Sequence, residues 1–126
     1  VLPMAEIDFS SFPQELHRIV GYRAKWDETA FEFHNTQRLF PQDLPVFIER
    51  NLRKVAASAY KLFMLRDYGR IDMRMDARGK VYVLEANANP CLSPDAGFAA
   101  AAQHCKMNYT AIVKEFVHFL SIRSSS

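Results

Sequence analysis

Cysteine is scarce in this chain: Cys91 and Cys105 are the only two among 126 residues, and they belong to no Cys-x-x-Cys pair. A disulfide framework is therefore not expected, and both are read as reduced thiols. Long apolar runs are missing too. No stretch reaches the ~18 residues that a membrane span needs, and the amino terminus lacks the basic, apolar, small-residue order of a signal peptide. Charge of one sign is nowhere concentrated, since 16 basic and 14 acidic residues give a net +2 with no block of like charges. Neither nucleic acid nor a membrane is implied as a partner. His17, His34, His104 and His118 show no zinc-like spacing to cysteines or carboxylates. Repeats and low-complexity segments are absent apart from the terminal serines. A soluble, cytoplasmic protein is the expectation.

With 49% apolar residues, a chain of this length can bury roughly two thirds of the surface its unfolded form exposes, enough for one core. A single domain over residues 1–126 is expected. It starts at Val1 without a methionine, which reads as a piece of a longer protein. Leu2 to Phe9 alternates as a strand, Val20 to Trp26 suggests a second, and Asp27 to Gln42 reads as a loop. From Pro45, suited to a first helical position, apolar residues recur at three- and four-residue intervals as far as Phe63. A helix of about five turns fits there. Arg50, Arg53 and Lys54 are expected on its wet face. Ile71 to Met75 and Val81 to Ala86 alternate with period two around Asp76, Ala77, Arg78 and Gly79, which is a hairpin pattern. Ser93 and Pro94 suit the start of an alanine-rich helix to about His104, and Tyr109 to Leu120 marks a last amphipathic helix. The order gives an α+β fold, helices packed on a mostly antiparallel sheet.

The hairpin carries the chemistry. Arg70, Asp72 and Arg74 share one face of its first strand, and Glu85 and Asn87 share one face of the second. A two-residue connection at Arg78 and Gly79 would set Asp72 opposite Glu85 and Arg70 opposite Asn87; a three-residue turn with a bulge would set Asp72 opposite Leu84 instead. In the first register, two carboxylates and a carboxamide converge beside an arginine. Such hard oxygen donors suit magnesium, and without a cation Asp72 and Glu85 would repel each other. Arg74 is expected to be solvated. Cys91 has no basic neighbour to lower its pKa and is expected to be a small buried side chain.

The strings YGRIDMRMD and LEANANPCLS, at this separation, resemble the ATP-grasp enzymes and among them the D-alanine–D-alanine ligases. The likeness extends more loosely from LPMAEIDF through GYRAKW to the last helix. It implies the C-terminal subdomain of an ATP-grasp fold, with the parts that bind adenine and ribose lying upstream and absent. It also implies an ATP-dependent carboxylate–amine ligase working through an acyl phosphate, with Mg2+ or Mn2+ held by Asp72, Glu85 and Asn87. Arg70 would steady the transferred group, and Lys25 would reach the ATP phosphates. Small carboxylate and amine substrates are the implied partners, together with the upstream part of the same protein, and a homodimer is compatible. The isolated chain is expected to be inactive. Arg23 departs from the acidic residue that the ligases commonly carry, and Ala96 and Gly97 stand where they place a serine and a leucine against the second amino acid. The rival expectation is a non-catalytic ATP-grasp-like binding or assembly module.

Overall fold

The computed structural model describes residues 1–124, so the last two serines lie outside it. The described residues form two compact units, residues 4–42 and residues 1–3 with 43–124.

In the smaller unit, strand β1 (Glu6–Ile7) pairs antiparallel with β2 (Arg38–Leu39). Only two residues of the alternating Leu2 to Phe9 segment join a ladder. Between these strands lie two short helices, α1 (Tyr22–Trp26) and α2 (Phe31–His34). The first occupies the segment expected as a strand, and the second lies within the expected loop. Asp27 explains the outcome in part. Its carboxylate accepts hydrogen bonds from the Thr29 backbone N–H (3.1 Å) and hydroxyl (2.6 Å), and the Asp27 N–H closes on the Arg23 carbonyl at 3.2 Å. That turn ends α1 and favours helical pairing within the segment over a ladder outside it. Phe12, Ala24 and Ala30 are buried here, with Phe12 packed edge-on against Phe9.

The larger unit starts its helical part with α3 (Val46–Leu62), preceded by Pro45 at the N-cap rather than in the first turn. Ile48, Leu52, Val55, Ala56, Ala59 and Tyr60 form its covered stripe, which packs on a hairpin of β3 (Arg70–Met75) and β4 (Val81–Asn87). Arg50 and Lys54 are exposed as expected, but Arg53 is tied down. It donates to Glu49 Oε1 at 2.8 Å and to the Val1 carbonyl at 2.9 Å. The helix ends in a six-residue loop-back from the Leu65 N–H to the Tyr60 carbonyl (3.0 Å), with Met64 in the left-handed region at φ 52°. Glycine usually fills that position because a Cβ is disfavoured there.

Helix α4 (Gly97–His104) packs on α5 (Tyr109–Ser124). Ser93 does not cap α4: its carbonyl accepts the Ala96 N–H in a turn, and Ala96 is the N-cap. Asn108 opens α5, its side-chain oxygen accepting the Ala111 N–H at 2.9 Å. Ala99, Ala102 and Ile112 form the buried centre, with Leu2, Phe98, Met107 and Phe116 packed round it. This core is small. Among the described residues no large side chain is fully buried, while Val46, Phe47, Leu62, Met64 and Leu84 are exposed. The architecture is α+β, with two small antiparallel sheets.

Candidate functional site

The hairpin turn is longer than two residues. Asp76 and Lys80 pair through the Asp76 N–H and the Lys80 carbonyl (3.0 Å), leaving Ala77, Arg78 and Gly79 as the loop, with Gly79 at φ +79°. The Asp76 carboxylate fixes this loop by accepting the Arg78 and Lys80 backbone N–H groups at 2.9 and 3.0 Å. Such a turn pairs Met75 with Val81, Arg74 with Tyr82 and Met73 with Val83. Continued unchanged, it would set Asp72 against Leu84. The ladder shifts between Asp72 and Met73, however, so that Leu84 is the extra residue of a bulge and Asp72 faces Glu85, with Arg70 facing Asn87. Of the two connections considered, the three-residue one is present, yet Asp72 faces Glu85 as in the two-residue alternative, because the bulge at Leu84 offsets the longer turn.

Arg70, Asp72, Glu85 and Asn87 therefore meet at the open end of the hairpin. The Arg70 guanidinium donates Nε–H to Asp72 Oδ1 at 2.7 Å and Nη2–H to Asp72 Oδ2 at 3.0 Å, and its Nη2 lies 3.9 Å from Glu85 Oε1. These hydrogen bonds, together with the two negative charges, raise the Arg70 pKa above its ordinary value against the opposing effect of burial. Arg70 itself offsets the repulsion between the facing carboxylates, so an added cation is not required for this register. The side chains are 46%, 37% and 54% exposed for Arg70, Asp72 and Glu85. Solvent screening at that exposure leaves about 0–1 kcal/mol of stabilisation in such pairs. Asn87 Oδ1 accepts the Asn89 backbone N–H at 2.9 Å.

The donor chemistry fits a hard divalent ion: two carboxylates retain lone pairs beyond those given to Arg70, and the Asn87 oxygen retains one beyond that given to Asn89. Among the described residues no three His, Cys, Asp or Glu side chains cluster as a metal site. The candidate set therefore rests on two carboxylates and an amide. Arg74 is exposed, facing Tyr82 across the ladder. Lys25 is exposed in the last turn of α1, within the smaller unit. In the same helix Arg23 lies 4.0 Å from Asp27 and 3.5 Å from Glu32.

Cys91 differs from its expected reading. It is exposed, its Sγ lies 3.2 Å from Ser93 Oγ, and hydrogen bonding from Ser93 lowers its pKa without any basic neighbour. Two residues not singled out in the sequence also belong to this end of the hairpin. Tyr68 donates its hydroxyl hydrogen to Asn89 Oδ1 at 2.6 Å. The Asn-Pro pair at Asn89 was the available signal, since it marks a turn. Among the described residues, no helix is long and apolar enough to cross a membrane.

Comparison with known proteins places the chain in a family. The chain is 30% identical over 101 residues to the D-alanine–D-alanine ligase of Dichelobacter nodosus, covering 80% of this chain and 31% of that protein. It is 33% identical over 87 residues to the D-alanine–D-alanine ligase of Dechloromonas aromatica, covering 69% and 29%. The chain thus spans about a third of the length of these relatives. The crystal structure of the D-alanine–D-alanine ligase from Bacillus anthracis complexed with ATP superposes with a TM-score of 0.67 at 21% identity, over 74% of this chain and 32% of that one. That likeness supports the fold alone, that of the C-terminal subdomain of an ATP-grasp fold. The profile of the D-ala D-ala ligase C-terminus family matches residues 4–118, and the chain belongs to that family.

Proposed function

We propose that this chain is the charge-neutralising part of an ATP-dependent carboxylate–amine ligase, completed by an upstream part of the same protein. The observation that carries the reading is the register that sets Asp72 against Glu85 and Arg70 against Asn87. A substrate carboxylate oxygen would attack the γ-phosphorus of ATP, displacing ADP; an amine nitrogen would then attack the acyl carbon, displacing phosphate and losing a proton. Asp72, Glu85 and Asn87 would hold magnesium or manganese, which neutralises phosphate charge when bound. The planar fork of Arg70 suits a phosphoryl or acyl oxygen, with Asp72 as its resting partner. Lys25 would reach the ATP phosphates. Catalysis of this kind depends on positioning and electrostatics more than on covalent chemistry by the protein. The exposed apolar side chains of Val46, Phe47, Leu62 and Met64 support a further protein part covering this unit.

The substrate is expected to differ from that of an ordinary D-alanine–D-alanine ligase. Ala96 and Gly97 stand at the start of α4, where the resemblance calls for a hydroxyl towards the substrate carboxylate. Each missing charge-assisted hydrogen bond costs ~1–3 kcal/mol, roughly tenfold to hundredfold in affinity. ADP release by the protein carrying this chain with its upstream part should be followed with D-alanine alone, then with other amino and hydroxy acids as second substrate. The expected result is release that depends on the acceptor, with D-alanine well below the best. No release with any pair contradicts the ligase reading, and D-alanine matching the best contradicts the argument from Ala96.

A further inference from the structure

We propose that Tyr68 is a positioning residue that, through Asn89, holds the Asn87 carboxamide oxygen where a bound cation needs it; this rests on the metal-site reading of Asn87 above.

Tyr68 lies two residues before Arg70, and its ring is packed by the two C-terminal helices. The ring centroids of Phe116 and Phe98 are 4.7 and 5.7 Å away. The half-buried ring is thus flanked by an aromatic side chain from each helix. Its hydroxyl donates to Asn89 Oδ1 at 2.6 Å, at the short end for an O–H···O bond. Asn89 in turn sits in the chain leaving β4, and its backbone N–H donates to Asn87 Oδ1 at 2.9 Å. A run of contacts therefore leads from the aromatic cluster to the amide of a candidate ligand.

The direction of that amide matters. A carboxamide rotated by half a turn offers Nδ2, which has no lone pair for a cation. The Asn89 N–H selects the oxygen, because only the oxygen can accept it, and one oxygen lone pair is left over. The two strand ends are also close. A Cβ added to Gly69 would lie 3.3 Å from the Asn87 carbonyl oxygen and 2.8 Å from Leu65 Cδ1. The Tyr68–Asn89 bond spans this close approach and ties the entry of one strand to the exit of the other.

The test uses the 15N-labelled 126-residue chain and its Tyr68→Phe, Asn89→Ala and Asn89→Asp variants. Tyr68→Phe keeps the packed ring. Metal-free hydrogen exchange at the Asn89 (or residue 89) backbone amide is measured first, then the broadening of the Asn87 side-chain NH2 signal by Mn2+ alone. Exchange at residue 89 is expected to quicken about fivefold in Tyr68→Phe, similarly in Asn89→Ala, and little in Asn89→Asp, which keeps an acceptor for the phenol. The Mn2+ midpoint is expected to rise tenfold or more in Tyr68→Phe, in the range of about 10–100-fold found for residues that orient metal ligands. Unchanged exchange in Tyr68→Phe overturns the proposal, as does an unchanged midpoint. Absence of broadening in the unsubstituted chain contradicts the metal-site reading itself, whereas broadening with equal midpoints contradicts only the part assigned to Tyr68.

Discussion

Alanine in place of Asp72, Glu85 or Asn87 is expected to lower ADP release by the complete protein about 100- to 1,000-fold, the range seen when one preorganised electrostatic partner of a transition state is removed. Folding should be nearly unaffected. The Asp72 and Glu85 side chains are 37% and 54% exposed, and pairs of this kind are worth about 0–1 kcal/mol. Asn87→Ala also loses the hydrogen bond from Asn89, a further ~1 kcal/mol. Such losses move a melting temperature by only about 4–8 °C per kcal/mol in a small domain. Thermal melts and ADP release on the same preparations separate the two effects. Unaltered ADP release in all three variants contradicts the assignment of these residues.

The second large effect concerns the chain by itself. The isolated 126 residues should neither bind ATP with a dissociation constant below about 1 μM nor turn it over. The chain spans 31% of the Dichelobacter nodosus relative, and the resemblance assigns the adenine and ribose contacts to an earlier part. Calorimetric titration with magnesium and ATP measures this directly. A dissociation constant below about 1 μM would show that the nucleotide contacts lie within these residues after all.

What was legible in the sequence follows from the length and regularity of each element. The covered stripe of α3 repeats often enough over its 17 residues to be read, and the hairpin strands alternate for six and seven residues. Helix α1 has five residues, too few for a 3.6-residue period to stand out from a two-residue one. The register at Asp72 needed two features that sequence spacing does not separate, a three-residue loop and a compensating bulge at Leu84. The Ser93 contact with Cys91 and the Tyr68 bond to Asn89 are hydrogen bonds between side chains. They depend on rotamers and turn geometry, which carry no periodic signal.

The most direct measurement is the position of a divalent ion. Crystals of the complete protein grown with Mn2+ and a non-hydrolysable ATP analogue, measured at the manganese absorption edge, give an anomalous peak wherever the ion is held. The account predicts a peak within about 2.0–2.6 Å of oxygens from Asp72, Glu85 and Asn87, the range of hard-cation coordination. A well-occupied peak at the nucleotide phosphates with none of these three side chains in its coordination shell would contradict it.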